Sequence, residues 1–241
     1  MKLREVAALL TVVAICGLVG IGIGRSYFSE QKVAPNPSIM PVVAPSPAKQ
    51  TPTTSQPENA APENSSGYEM SLQEALAGER VPDEVSKELT IVTVSYWSFD
   101  DREHTGQIVV RKNVAEEVKE IFEDLRRARF PIDKVVPVSQ YDWSDEQSMS
   151  DDNTSAFNYR RIENQDALSK HSYGLAIDIN PRLNPYIRDG VTRPAGANYD
   201  PSVPGTITAD GPVVEAFRKR GWVWGGRWRK LKDWQHFEKP F

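Results

Sequence analysis

The chain has 241 residues, of which 39% are hydrophobic and 26% are charged, a composition that is ordinary for a globular protein. Its formal net charge of -4 provides no broad basic field, which argues against nucleic-acid binding. The single cysteine, Cys16, excludes an internal disulfide and a zinc site built from cysteines. Any metal site must therefore use His, Asp or Glu side chains.

The N-terminal segment predicts insertion into a membrane. After Lys2 and Arg4, residues 6–24 form an apolar stretch of 19 residues, long enough to cross a hydrocarbon core of about 30 Å. The run is longer than the apolar region of a usual signal peptide and ends at Gly22-Ile23-Gly24-Arg25, a poor match to a small-x-small cleavage site, so an uncleaved anchor is favoured over a cleaved signal peptide. We expect residues 1–29 to be a signal anchor with a cytoplasmic N-terminus and the rest of the chain outside, or secreted if the segment is cleaved.

The segment that follows has the composition of a linker. Residues 30–67 contain eight prolines among Ala, Ser, Thr, Asn and Gln, and such a sequence cannot bury a core. Proline favours extended conformations, so we expect a semi-stiff, disordered spacer.

Residues 68–241 are predicted to form one folded domain. Alternating and β-branched residues predict a strand over residues 89–97 and shorter strands over 107–111 and 134–138. Strand and helix patterns do not alternate regularly along the domain. We therefore expect an α+β domain, with a mainly antiparallel sheet and flanking helices.

Two helices are predicted in this domain. The first begins at Asn113, with Glu116 placed for a capping box, and ends before Pro131. The second begins at Asp210, with a proline in its first turn, and ends at Gly221. The apolar residues of the first helix repeat on one face: Val114, Val118, Ile121 and Leu125.

Three histidines, His104, His171 and His236, all lie in this domain. Residues 171–178 read HSYGLAID, which predicts a glycine-containing turn that leads into a strand. Asp178 is flanked by apolar residues, and a buried carboxylate needs an ion pair, hydrogen bonds or a metal. The spacing alone leaves two readings open: a pair of metal ligands, or a structural aspartate beside a surface histidine.

A second motif, DWQHFE, spans residues 233–238. Taken alone, an Asp-x-x-His would usually be a surface turn. Two histidines and one aspartate, however, leave one position of a tetrahedral zinc open for water, as catalytic zinc sites require, and Asp233 is then available as a base. In a regular strand Asp233 and His236 would face opposite sides, so the hypothesis requires a bend between them.

The segments SKHSYGLAIDINP (169–181) and DWQHFE (233–238) resemble the zinc-ligand signature of the VanY-like D-alanyl-D-alanine carboxypeptidase and L-alanyl-D-glutamate endopeptidase family. The similarity extends to GQIVV (106–110), TSAFNYR (154–160) and GWVWGG (221–226). The resemblance implies the α+β fold of these hedgehog-like zinc peptidases. It also implies hydrolysis of peptidoglycan stem peptides, and it leaves the carboxypeptidase and endopeptidase activities both open.

The same resemblance implies a role for each motif residue. His171, Asp178 and His236 correspond to the zinc ligands, Asp233 to the general base and Arg160 to a polarising cation. Zinc would lower the pKa of a bound water, whose proton Asp233 would accept. Arg160 would offset the charge that develops on the scissile carbonyl oxygen.

Further residues are candidates for contact with the substrate. Asn158, Ser169 and Tyr173 could instead support the zinc ligands, since metal-bound imidazoles usually donate their other N–H to a partner. His104 lies in a turn-like stretch and either lines the substrate groove or is exposed. The acidic stretch 142–152 lacks the ligand spacing of an EF-hand and is predicted to be a solvated loop. The substrate-binding candidates are Asn158, Ser169, Tyr173, His104 and Trp234.

The sequence leaves three functions open. The first is an anchored zinc peptidase that cleaves stem peptides on the cell-wall side of the membrane. The second is a non-catalytic peptidoglycan-binding module that retains the fold, and the third is a peptidase of proteins or free dipeptides. The base Asp233 and the cation Arg160 favour the first over the second, because a binding module has no physical need for a base.

Overall fold

The computed structural model of the chain describes residues 69–163 and 165–241. The predicted anchor (1–29) and linker (30–67) lie outside the described residues. Within the described ranges, no helix is both long enough and apolar enough to cross a membrane.

Strands of the described residues are short, apart from the first two. The strand predicted over residues 89–97 is confirmed as the first of them. The strands are β1 (Leu89–Trp97), β2 (Glu103–Arg111), β3 (Lys134–Val135), β4 (Asn153–Thr154), β5 (Ala176–Asp178), β6 (Tyr186–Arg188), β7 (Val191–Arg193), β8 (Val223–Trp224), β9 (Lys232–Asp233) and β10 (His236–Glu238).

The longest helix of the described residues, α3 (Ala115–Arg127), has thirteen residues. Short 3₁₀ helices add further turns, among them Lys112–Val114, Val138–Tyr141 and Lys170–Tyr173. The α-helices are α1 (Leu72–Ala75), α2 (Asp83–Ser86), α3 (Ala115–Arg127), α4 (Asp145–Ser150) and α5 (Pro212–Arg218).

The described strands form four small sheets instead of one. β1 and β2 form an antiparallel hairpin, β10 lies between β5 and β8, β6 lies between β7 and β9, and β3 pairs with β4 in parallel. The mixture of helices with mainly antiparallel strands agrees with the α+β expectation. The single sheet that we expected is divided, because most strands end after two or three residues.

The core lies between α3, the hairpin of β1 and β2, and the sheet formed by β5, β10 and β8. The predicted apolar face of α3 is confirmed, since Val118, Ile121 and Leu125 are all fully buried. They belong to one hydrophobic cluster with Ile177 of β5 and Phe237 of β10. The strands that carry the site are thus anchored in the main core.

Helix boundaries differ from the prediction at the N-terminal ends. Asn113 lies inside a 3₁₀ turn, and Val114 occupies the N-cap of α3 without a side-chain hydrogen bond, so the predicted capping box is wrong. The second helix begins at Pro212, and its following turn ends at Gly221, whose φ is +76°. The predicted strand 134–138 ends after Val135 because Pro137 has no N–H and opens a 3₁₀ turn.

Gly174 positions the first motif. It follows the 3₁₀ helix Lys170–Tyr173 with φ +63°, a conformation that favours glycine. A Cβ atom there would lie 2.5 Å from the backbone nitrogen of Arg111, which itself donates a hydrogen bond to the Gly174 carbonyl. The predicted glycine turn therefore joins the His171 segment tightly to β2.

Candidate metal centre and its cavity

Three buried side chains, His171, Asp178 and His236, converge on one point. Each offers a ligand atom, and these atoms lie within 4.8 Å of one another. Nδ1 of His236 is 2.9 Å from Oδ1 of Asp178, Nε2 of His171 is 3.3 Å from Oδ2 of Asp178, and the two ring nitrogens are 3.2 Å apart. This group is the one set of three or more potential metal ligands found among the described residues.

Different elements supply the three ligand candidates. His171 lies in the 3₁₀ helix that begins after Ser169, whose hydroxyl accepts a hydrogen bond from the His171 backbone N–H. Asp178 ends β5 and His236 begins β10, and the two residues are directly opposite in the antiparallel register. Directly opposite residues project to the same face, so the sheet itself brings these two side chains together.

Hydrogen bonds on the outer side of each ring orient both imidazoles. Nδ1 of His171 lies 2.5 Å from the carbonyl oxygen of Ala156, and Nε2 of His236 lies 3.2 Å from Oε2 of Glu238. If these nitrogens donate, the facing nitrogens Nε2 of His171 and Nδ1 of His236 both carry lone pairs. Two lone pairs and a carboxylate that meet in one place form an acceptor-only cluster, which fits a cation.

The electrostatics of the cluster also indicate a need for positive charge. Burial lowers the pKa of His236, but hydrogen bonds with Asp178 and Glu238 outweigh burial and raise that pKa to about 10. Burial raises the pKa of Asp178, but the charge of His171 and the hydrogen bonds with both histidines bring it below its ordinary value. Without metal, a proton on His236 therefore supplies the charge, and two imidazoles with a carboxylate suit zinc in its place.

A cavity of about 450 Å³ opens beside the three ligand candidates. Asp233 and Arg160 both line it, together with the three ligand candidates. The required bend is present, because Asp233 ends β9 in one sheet and His236 begins β10 in another. The break at Trp234 and Gln235 lets both side chains reach the same cavity despite their spacing.

Asp233 has the environment of a base that takes up and releases a proton. Its Oδ1 is buried without a hydrogen-bond partner among the described residues. Burial raises the pKa of Asp233 to about 7, although the charge of His236 opposes this shift. An unpaired carboxylate oxygen beside the ligand candidates is available to a water molecule or a substrate.

Arg160 is held in the cavity wall by Asp145. Nη2 of Arg160 lies 3.1 Å from Oδ2 of Asp145, and Oδ1 of Asp145 accepts a hydrogen bond of 3.1 Å from the Asn158 side chain. The Arg160 backbone N–H donates to the Ser172 hydroxyl. Its Nε is buried and has no partner among the described residues, so part of the guanidinium remains available.

The substrate-binding candidates are divided by the structure. Among the described residues, Ser169 lines the cavity, whereas the other four do not. Asn158 supports Arg160 through Asp145, and Trp234 stacks on Tyr199 with ring centroids 3.8 Å apart. Tyr173 packs against the core.

His104 lies away from the lining as well. Its Nε2 is 3.0 Å from Oδ2 of Asp100, and its ring stacks on Tyr96. This histidine belongs to the first hairpin, where it lies opposite Tyr96 of β1 and contacts Asp100 in the turn between the two strands.

Several cavity residues were missed from the sequence. The acidic stretch 142–152 is not simply a solvated loop, since it contains α4, whose first residue Asp145 lines the cavity. Glu238 stood inside the quoted motif two residues after His236, and that i, i+2 spacing on a strand was the available signal. Tyr186 and Arg193 belong to none of the sequence motifs, and only the pairing of the strands brings them to the cavity.

A comparison with known protein families gives one match, over part of the described domain. Residues 163–239 match the model of a family described as D-alanyl-D-alanine carboxypeptidase. The matched segment includes the three ligand candidates and Asp233, while Arg160 and Asp145 precede it. No curated protein and no solved structure matched the chain.

Proposed function

We propose that the chain is a zinc-dependent peptidase that hydrolyses the stem peptides of peptidoglycan, and the match of residues 163–239 to the D-alanyl-D-alanine carboxypeptidase family model supports this proposal. The observation that carries the proposal is the buried His171, Asp178 and His236 cluster, which shares one cavity with Asp233 and Arg160. The domain would then have the hedgehog-like fold of those carboxypeptidases.

Zinc is the proposed metal because two imidazole nitrogens and one carboxylate leave an open fourth position in a tetrahedral centre. When bound, zinc would supply Lewis acidity that lowers the pKa of a water molecule toward 7. His171, Asp178 and His236 would hold it. The outer hydrogen bonds of the rings to Ala156 and Glu238 keep the ligand nitrogens facing inward.

The other residues would carry out the proton transfer and charge stabilisation. Asp233 accepts the proton of the attacking water and later gives it to the nitrogen of the leaving residue. Arg160, which Asp145 holds beside the cavity, offsets the negative charge on the scissile carbonyl oxygen. A single well-placed donor of this kind contributes roughly 3 kcal/mol to transition-state stabilisation.

The location of the enzyme is part of the same proposal. Residues 1–29 would anchor the chain in the cell membrane, and residues 30–67 would carry the domain toward the wall. If residues 1–29 were cleaved, the protein would be secreted. Protease treatment of intact cells should digest the domain only if it lies outside, and the size of the membrane-bound chain should show whether the segment is retained.

The test of the activity is mass spectrometry of purified muropeptides after incubation with the full chain and zinc, beside an Asp233→Ala variant. Loss of a terminal D-Ala would identify a carboxypeptidase, and cleavage between L-Ala and D-Glu an endopeptidase. Products from both proteins alike would remove Asp233 from the chemistry. Absence of any zinc-dependent product would support a non-catalytic wall-binding module, or a peptidase of proteins or free dipeptides.

A further inference from the structure

A row of polar side chains crosses the sheet that carries the proposed base. Strand β6 lies between β9 and β7, and Tyr186 is directly opposite both Asp233 on β9 and Arg193 on β7. Directly opposite residues on antiparallel strands project to the same face. All three side chains line the cavity. The face of this sheet that carries the row is therefore one wall of the cavity.

Arg188 extends the same wall. It follows Tyr186 by two residues on β6 and so shares its face, and it also lines the cavity. The wall beyond Asp233 therefore presents one phenol and two guanidinium groups. A guanidinium group binds a carboxylate through two parallel hydrogen bonds.

The direction of the row relative to the metal centre follows from the chain. His236 comes three residues after Asp233, so the ligand candidates lie at the β9 end and Arg193 lies at the opposite edge. Two strand spacings separate the Cα atoms of Asp233 and Arg193 by about 10 Å. The long side chain of an arginine can extend back over much of that distance.

Both guanidinium groups have partners that a substrate can replace. Nη2 of Arg193 lies 3.1 Å from Oε1 of Glu163, and Nε of Arg188 lies 3.3 Å from Oδ2 of Asp189. The acidic side chains are 57% and 83% exposed, so each pair contributes little to stability. An incoming carboxylate that displaces Glu163 would leave the charge of Arg193 compensated.

The position of the row indicates which residue of the substrate lies beside it, and this step rests on the proposed function. Asp233 gives its proton to the nitrogen of the leaving residue, so that residue lies on the side of the row. In both candidate linkages the leaving residue has a free α-carboxylate. It is the terminal carboxylate of D-Ala, or the α-carboxylate of a D-Glu that is linked onward through its side chain. This carboxylate lies about 2.5 Å from the nitrogen.

We propose that Arg193, assisted by Tyr186 and Arg188, binds the α-carboxylate of the leaving residue and thereby determines specificity. The ligand class is a peptide whose leaving residue has a free, unamidated α-carboxylate. Arg193 is a substrate-binding residue in this account, and Glu163 is a competing partner for its guanidinium group.

The test compares two pairs of synthetic peptides with the zinc-loaded full chain. One pair is an acylated L-Lys-D-Ala-D-Ala as the free acid and as the C-terminal amide. The other is L-Ala-γ-D-Glu-L-Lys with the glutamate α-carboxylate free and with it amidated. We expect amidation to lower kcat/KM at least tenfold in the pair that is cleaved. The pair that responds identifies which of the two carboxylates occupies the subsite.

Variants then test whether the residues of the row cause the effect of amidation on kcat/KM. In Arg193→Gln, kcat/KM for the free acid should fall to the level of the amide, and the ratio should approach one. Glu163→Gln should raise kcat/KM for the free acid a few-fold and leave the amide unchanged, because it removes a competitor. Arg229→Gln is the matched control, since Arg229 is exposed and does not line the described cavity. An unchanged acid-to-amide ratio in Arg193→Gln would overturn the inference.

A binding measurement separates this inference from the proposed activity. Calorimetry with Asp233→Asn and the same peptides should show tighter binding of the free acid, and adding Arg193→Gln should remove the difference. If wild type cleaves neither pair, the proposed function fails. If cleavage occurs but binding is equal for acid and amide, the carboxylate subsite alone fails.

Discussion

Nε2 of His236 lies 3.2 Å from Oε2 of Glu238, while Nδ1 of the same ring faces Oδ1 of Asp178 at 2.9 Å. The two contacts lie on opposite sides of one imidazole. When Nε2 donates its hydrogen to Glu238, Nδ1 is free to bind a cation, and the hydrogen bond increases the basicity of Nδ1.

Replacement of Glu238 should weaken zinc binding. We expect Glu238→Ala to raise the Kd for zinc by about 10-fold to 100-fold, because outer partners of metal-bound histidines have effects of this size. The Kd of Glu238→Gln should lie between those of Glu238→Ala and wild type, since its amide oxygen can still accept a hydrogen bond from Nε2. Competition with a chromophoric chelator measures Kd, and the exposed Glu84→Gln on α2 is the control. Equal affinities for all four proteins would contradict the assignment.

Asp145 should affect turnover without affecting the metal. Asp145→Ala removes the carboxylate that holds Arg160 at 3.1 Å, so we expect kcat to fall by about 10-fold to 100-fold. The Kd for zinc should not change, because Asp145 has no contact with the ligand candidates. The neighbouring Glu146 is exposed, and Glu146→Gln should behave as wild type. A loss of zinc affinity in Asp145→Ala would instead indicate a general structural role.

Asp233 should be needed for activity at a cost in stability. Its pKa is raised to about 7 in the folded state, so the folded protein holds a proton that the unfolded chain releases near pH 4. The free energy of unfolding of metal-free protein should therefore decrease as pH rises from about 4 to 7. Asp233→Asn mimics the neutral form, so its slope over this range should be smaller. Urea unfolding in the presence of a chelator at pH 4.5 and 7.5 measures this change in the free energy of unfolding.

The size of that effect gives a clear criterion. At pH 7.5 we expect metal-free Asp233→Asn to exceed wild type by on the order of 1–3 kcal/mol. The same variant should retain zinc but lose hydrolysis. A variant less stable than wild type at both pH values would mean that the Asp233 carboxylate is satisfied in the fold.

Zinc should stabilise the fold most at alkaline pH. The pKa of His236 is raised to about 10, so its stabilising contribution in metal-free protein is complete below about 6.5 and is lost as pH approaches 10. A metal replaces the proton on this nitrogen, and zinc at 100 times its Kd adds roughly 2.7 kcal/mol. We expect the zinc-induced increase in the urea midpoint to be larger at pH 9 than at pH 6. A His236→Ala variant should show little increase at either pH.

Gly174 and Gly190 provide a matched pair for the turn beside His171. Both have positive φ, +63° and +78°, so alanine at either position carries a backbone cost of about 1–2 kcal/mol. A Cβ at Gly174 would also lie 2.5 Å from the Arg111 nitrogen, whereas nothing lies within 4 Å at Gly190. Gly174→Ala should therefore lower the free energy of unfolding well beyond Gly190→Ala. Equal losses would show that β2 moves to make room.

Local features of this protein were readable from the sequence because they depend on neighbouring residues. Alternation over residues 89–97 marks β1, a repeat of 3–4 residues marks the buried face of α3, and the HSYGLAID segment contains the glycine turn. Each of these patterns acts within a few residues, through backbone sterics or periodic burial. The two motifs around His171 and His236 were recognisable for the same reason.

Contacts between distant segments were decided only by the tertiary structure. The register of β5 and β10 places Asp178 opposite His236, although 58 positions separate them. The break between β9 and β10 turns Asp233 toward the same cavity, where regular strand alternation would have turned it away. The pairing of Tyr186 with Asp233 depends on which strands meet, and no local preference of either residue encodes that choice.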